Sequence, residues 1–437
     1  MTPPLATDLT TDADDAQAAW EAAVHGMVTA AKRTPDHIAA ALEADPELAA
    51  AHCLVGFGFL GLARREHRPA AEAALKKARA SIRSRGATVV EQALVQALER
   101  WTRGDLGGAA EVFRAALLAH PSMLMMRLDH ACRFMIGDAT GMLDSAELVL
   151  DALGDDAPGY ALGMAAFAHE ETGALDRAAS LAREALERSD DDAWAAHALG
   201  HVFEMQDDSR RGRRWLERCA TDRTYAHCGT FGAHIRWHEA LFCLAENDVD
   251  AAVALHERLP MPEADFRDVS NAASLLYLIE ERGRDVQLHW HLLAERVRPL
   301  ATDHGYAFAD AHYALVLAKA GRDGEAREML ASLEAAVRSD ETPAGDIQRR
   351  WGLPLVRGIL AFVEGDAQSA YDALSVCETG VSPIGGSHAQ RELFRRLWIR
   401  AGEQLGRRET ERAAGAYLTL RPHSPWVRDV VERAHPR

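Results

Sequence analysis

The chain is poor in what a disulfide-bonded, membrane-spanning or nucleic-acid-binding protein needs. Six cysteines occur in 437 residues, Cys53, Cys132, Cys219, Cys228, Cys243 and Cys377, and no two form a CxxC pair. That scatter excludes the common zinc-ribbon and redox motifs and reads as reduced thiols in a cytoplasmic protein. The longest apolar stretch, Cys53 to Ala63, is broken by glycines and stops at Arg64. A span of bilayer takes about 20 apolar residues, so no membrane segment is expected. The opening stretch from Met1 to Asp15 is acidic and has no apolar centre, which does not read as a secretory leader. Cationic surplus is missing too: Lys and Arg number 49 against 66 Asp and Glu, a net charge of −17. A field of that sign repels phosphate backbones and anionic lipid, so neither nucleic acid nor a membrane is expected as a partner. There is no glycine-rich phosphate loop, no GxSxG elbow and no dinucleotide fingerprint. Alternating strand patterns are also lacking.

What is present is helix-forming sequence rich in Ala, Leu, Glu and Arg. At this length one compact core is not expected, which leaves several domains or a repeat array. Between Gly104 and Pro121, the residues Ala109, Phe113, Ala116 and Pro121 have the spacing of the second helix of a tetratricopeptide repeat. Ala97 lies where the first helix wants a small residue. The pattern returns as Ala178, Ala182 and Ala185 after Gly173, as Ala326, Leu330 and Leu333 after Gly321, and again after Gly365. Small residues let paired helices approach, and larger ones fill the gap to the next pair. In the Gly-Asp turns, glycine supplies a left-handed stop and aspartate caps the next helix. The expectation is an all-α, tetratricopeptide-repeat-like helical-hairpin superhelix (an α-solenoid) of right-handed sense, with roughly eight to ten hairpins of about 34 residues. Residues 1–16 read as a disordered acidic lead, and residues 17–437 as one array. Proline-containing joints fall at Leu259–Pro262, Asp340–Pro343 and Val381–Gly386.

The stretch from Trp194 to Glu204 fits a first helix and also aligns His197, His201 and Glu204. Steps of four and then three residues return to nearly the same direction on a helix. The next repeat offers His234 and His238, again four apart, with Trp237 between them. Asp129-His130 and Asp310-Ala-His312 sit on other first helices, and His52 and His388 begin two more. Packing needs no such stripe. Histidines beside carboxylates can act as general acids and bases near neutral pH. Two imidazoles at i, i+4 can also share a divalent metal such as zinc, here with Glu204 as a further donor. The motif is not HExxH, so no known metalloenzyme is marked. Cys228 is a conceivable nucleophile, with nothing in the sequence to activate it.

Five segments resemble the tetratricopeptide repeat protein 38 family of bacteria and animals: Asp192 to Met205, His234-Ile-Arg-Trp-His238, Asp310-Ala-His312, Gly352-Leu-Pro354 and Gly385-Gly-Ser-His-Ala-Gln-Arg391. They occur in order over nearly the whole chain, from about His52 to Pro425. Where the family often has Asn in the last segment, this chain has His388. The resemblance implies the helical-repeat fold and leaves function open.

Two functions fit. In the first, a concave pocket binds or transforms a small polar molecule by general acid–base or metal-assisted chemistry, hydrolysis or proton transfer. His197, His201, Glu204, His234 and His238 are its centre, and the same five could hold the metal. His201 is the candidate general base. His130, Asp310, His312, His388, Arg391, Trp194 and Trp237 are candidate substrate contacts, with Arg391 holding an anion. In the second, the array is a protein-interaction scaffold that binds a peptide or partner protein in its groove.

Overall fold

The computed structural model describes residues 9–259 and 265–434. The start of the acidic lead, residues 1–8, and the Pro260–Pro262 part of the first joint lie outside the described residues. Among the described residues there is no β-strand, only an isolated bridge between Ala31 and Cys228. The fold is all-α, a succession of helical hairpins. First helices begin at Val89, Met123, Gly159 and Ala193, 34 to 36 residues apart. Among the described residues no helix is long and apolar enough to cross a membrane.

The chain divides into two compact units. The first runs to Leu199 and adds Cys219–Gly232 and Thr342–Ala344. The second comprises Gly200–Arg218, Ala233–Glu341 and the residues from Gly345 on. The first unit opens with a helix at Asp14, Asp14–Thr29, and continues through hairpins such as Val89–Thr102 with Leu106–Ala119. Ala97, Ala109 and Phe113 are fully buried, and so are Ala178, Ala182 and Ala185. The turn between the helices follows from its residues. Gly104 takes φ +74, a region costly for other residues, and Asp105 accepts a hydrogen bond from the Gly108 amide at 2.8 Å.

In the second unit the same device recurs at Gly365 and Asp366, ahead of Ala367–Leu374. Asn247 takes the glycine's place before Asp248 and tolerates φ +63. One core position differs from expectation. In the helix Asp323–Ser339, Met329 and Leu333 are fully buried while Leu330 is half-buried. Adjacent residues on a helix point about 100° apart, so a frame slip of one residue turns a core position toward the flank. The Asp340–Pro343 joint opens a helix in which Pro343 is the first residue, where its missing N–H costs nothing. That helix passes through a π-helical turn, Gln348–Gly352, into Leu353–Glu364.

A candidate binding site in the second unit

Three successive first helices build a polar cluster. Ala193–Met205 carries His201 and Glu204, Thr230–Ala245 carries His234, Trp237 and His238, and Phe266–Glu280 carries Asn271 and Ser274. Neighbouring first helices pair residues about one repeat apart. Glu204 meets His238, 34 residues on, and His234 and Trp237 meet Asn271 and Ser274, each 37 residues on. The Glu204 carboxylate lies 3.0 Å from Nδ1 of His238. An ionised carboxylate only accepts, so this Nδ1 carries the proton and donates. Oδ1 of Asn271 lies 3.1 Å from Nδ1 of His234 and accepts from it in the same way. Both rings therefore turn Nε2 lone pairs inward, and the two Nε2 atoms are 3.2 Å apart. The ring of His201 lies over that of His238, centroids 4.4 Å apart. A ring nitrogen from each of His201, His234 and His238 lies within 4.8 Å of the others.

Trp237 closes one side of the cluster. Its ring stacks on His234 at 5.2 Å and its Nε1 donates to the Ser274 hydroxyl at 3.0 Å. His201 and His238 are buried and His234 is half-buried. Burial pushes the His234 imidazole down to about 4; the Asn271 acceptor opposes this and the His201 charge adds to it. At neutral pH His234 is then an uncharged base or donor atom.

A cavity of about 100 Å³ lies in the same unit. Glu204 and Trp237 line it beside Trp426, Arg282, Arg421 and Glu392. Glu392 accepts from Arg396 at 3.0 Å, Arg421 at 3.1 Å, Trp426 at 3.1 Å and the Tyr417 hydroxyl. Glu281 takes the other faces of Arg396 and Arg400, at 2.7 and 3.0 Å. Arg282 has no such partner. Among the described residues its side chain makes no hydrogen bond or ion pair, and it is held below the usual arginine range by burial first and by Arg396 next.

Each remaining candidate has neighbours of its own. His197 stands one turn before His201 on the same helix and is buried in the first unit, its ring 5.2 Å from Phe167 and 5.1 Å from Phe231. Trp194 stacks on Phe231 at 4.1 Å, lies under the Arg127 guanidinium and donates to the Val28 carbonyl at 3.0 Å. His130 bonds the Met142 carbonyl at 3.0 Å, and Asp129 is held by Arg133 at 2.9 Å. His52 bonds the Pro46 carbonyl at 2.8 Å. Burial pushes the Cys228 thiol up to about 12, with Asp191 and Asp192 adding to it, so this cysteine is not an activated nucleophile.

In the second unit Asp310, His312, His388 and Arg391 form a separate neighbourhood around Phe308. His312 donates to the Phe308 carbonyl at 2.8 Å and burial pushes it down to about 4. Asp310 accepts from Gln348 at 2.5 Å. Arg391 holds the Gly386 carbonyl and stands 3.5 Å from the exposed His388. Gly386, at φ +80, packs so closely that an added Cβ would sit 2.7 Å from the Phe308 ring.

Asn271 and Ser274 do carry a sequence signal, since both lie one repeat beyond His234 and Trp237. Arg282, Glu392 and Arg421 carry none. Arg421 reaches Met205 across 216 residues, which no period announces.

No family model matches the chain. A tetratricopeptide repeat protein from Parabacteroides merdae is 15% identical over 72% of this chain and 98% of its own, with a TM-score of 0.33. The human IFIT1 dimer with m7Gppp-AAAA is 13% identical over 88% of this chain and 89% of its own, with a TM-score of 0.39. The P58(IPK) TPR domain is 16% identical over 80% of this chain and all of its own, with a TM-score of 0.23. At these identities and scores the likeness carries nothing beyond helical repeats.

Proposed function

We propose that this chain is a helical-repeat scaffold that captures a polypeptide segment of a partner, with the cavity of the second unit as its anchor pocket for a carboxylate. The observation that supports it is Arg282: a partly buried guanidinium with no ion-paired or hydrogen-bonded partner among the described residues, where burial and Arg396 outweigh the attraction of Glu281 and Asp429, at a cavity sized for one side chain and walled by Trp237 and Trp426. Burying a cation unpaired is costly, and an incoming carboxylate relieves that cost. The chain's net charge of −17 opposes an acidic peptide at long range, but salt screens that field beyond about 8 Å, so recognition is a contact event. A charge-assisted hydrogen bond contributes about 1.5–3 kcal/mol, or roughly tenfold to a hundredfold in affinity.

The test is a defined peptide library in which each anchor position is presented as Asp, Glu, a free C-terminus or the matching amide, read by fluorescence polarisation. Carboxylate peptides should bind the wild type and lose about tenfold to a hundredfold on Arg282→Ala. Equal binding of amide and carboxylate peptides would sink the proposal. The resemblance to the tetratricopeptide repeat protein 38 family belongs to the same proposal, supported by the meeting of the segments at Asp310–His312 and Gly385–Arg391 around Phe308.

A second reading is favoured by the convergence of His201, His234 and His238 with Glu204. In it, a small polar molecule is bound or transformed there by proton transfer or metal-assisted hydrolysis. Under this reading His201→Ala with His238→Ala abolishes ligand binding in a still helical protein, and Arg282→Ala leaves it intact.

A further inference from the structure

The His201, His234 and His238 cluster, on which the second reading rests, has a geometric oddity of its own. When both the His234 and His238 rings are neutral and both Nδ1 atoms donate, the two imidazoles cannot hydrogen-bond each other through Nε2. Each presents a lone pair there, and the two lone pairs face across 3.2 Å. Lone pairs brought together in this way are destabilising unless a proton or a metal cation lies between them. For nitrogen donors at 2.0–2.1 Å from a tetrahedral ion, the edge between two donors is about 3.3–3.4 Å. The separation of the Nε2 atoms is close to that edge.

We propose that His201, His234 and His238 form a site for one divalent transition ion of the zinc class. Three observations carry it beyond the pattern of histidines. The first is the edge length. The second is the support of the donors from behind, where Glu204 holds His238 at 3.0 Å and Asn271 holds His234 at 3.1 Å. Acceptors on the far nitrogen fix the tautomer and raise the basicity of a ligating imidazole. The third is the chemistry of the set: imidazoles suit zinc, cobalt, nickel and copper, whereas magnesium and calcium prefer oxygen donors. An ion there ties Ala193–Met205 to Thr230–Ala245 and keeps the helix bearing Trp237 in place beside the cavity.

The competing arrangement binds no metal. If Asn271 turns its amide nitrogen toward His234, then His234 can donate from Nε2 to His238 and a proton chain runs through to Glu204. The experiment separates the two. Full-length protein is stripped with a chelator, and cobalt(II) is titrated in while visible absorption and the melting temperature are followed. The site predicts a low-coordinate cobalt spectrum that saturates at one ion per chain, is displaced by zinc and is accompanied by a rise in the melting temperature. His234→Ala and His238→Ala should each abolish the spectrum, and Glu204→Gln should weaken binding about tenfold to a hundredfold. Because the wild-type titration needs no variant, a misfolded mutant does not rescue the idea. No saturable spectrum and no melting shift in the wild type overturns it, as does an undiminished spectrum in the folded His234→Ala, His238→Ala double variant.

Discussion

Removing the Glu392 carboxylate should loosen the C-terminal helices more than any other single change in the second unit. Glu392 sits on His388–Gln404 and accepts from Arg396 on its own helix, from Tyr417 on Arg408–Leu420, from Arg421 after it and from Trp426 on Pro425–Ala434. Burial alone would raise its pKa, but Arg421 and Arg396 overcome that and hold it below the usual glutamate range. Glu392→Ala strands two neutral donors and takes a carboxylate from two guanidiniums, leaving Arg396 only Glu281 at 2.7 Å and Arg421 only Glu204 at 3.7 Å. Breaking a buried ion pair by deleting one partner costs about 3–5 kcal/mol. Glu392→Gln keeps one acceptor oxygen and should cost roughly half of that, because the charge is lost and only part of the hydrogen bonding. With total stabilities of about 5–15 kcal/mol, the alanine change should open the last two helices locally before the rest unfolds. The assay is hydrogen exchange over Arg408–Leu420 and Pro425–Ala434, with urea unfolding followed by Trp426 fluorescence. A pH arm adds a sign. The folded carboxylate is depressed, so its contribution is complete above the unfolded value and is lost as pH falls through the lower folded value. The gap between wild type and Glu392→Ala should therefore close in acid and be fully open at pH 7. A loss below about 1 kcal/mol at pH 7, or unchanged exchange in Pro425–Ala434, would refute the role assigned to this residue.

Two further outcomes follow from local geometry. Asp192 caps its helix through Trp194 N at 2.9 Å and Ala195 N at 3.1 Å, while burial pushes it up to about 7. The folded state then binds the proton more tightly than the unfolded chain, so stability should fall as pH rises from about 4 through 7; Asp192→Asn keeps the cap and should remove that slope in thermal melts at pH 5 and pH 8. At Gly212 a Cβ would sit 2.3 Å from the ring of buried Phe242, whereas at Gly58 nothing lies within 4 Å. Gly212→Ala should cost about 1–3 kcal/mol and Gly58→Ala should gain about 0.5–1 kcal/mol in denaturant titrations.

The parts of this molecule that could be read from the chain are those that repeat. The Gly-Asp turns announce themselves because the left-handed stop and the cap are adjacent residues, and Gly104 with Asp105 behaves as that pairing demands. The small residues of the second helices do so because close packing tolerates little else, although the slip from Leu330 to Met329 shows that spacing alone leaves the helical frame open by one residue. The histidine cluster was legible for the same reason. First helices that neighbour one another pair at an offset of one repeat, so the His234–His238 helix could be expected beside Glu204, and the same offset leads on to Asn271 and Ser274.

What could not be read is anything satisfied within its own hairpin or supplied from outside the period. His312 spends its Nδ1 on the carbonyl four residues back, and His130 spends its Nε2 on Met142 twelve residues on. The sequence places both on a first helix without showing that they are already engaged. The Arg282, Glu392 and Arg421 side of the cavity has no periodic signature, since Arg421 comes from a connection after a second helix and Arg282 from a turn. This difference in origin has a consequence for mechanism. The imidazoles are set by the register of successive first helices, and the guanidiniums by the C-terminal segment and its hub at Glu392. Glu204 joins the two, 3.0 Å from His238 on one side and 3.7 Å from Arg421 on the other. A charge arriving at either feature is therefore felt by the other through one carboxylate. If the imidazoles hold a cation as proposed, Glu204 should be drawn toward His238 and away from Arg421, so cobalt loading should tighten carboxylate-peptide binding, and an unchanged affinity would refute the link.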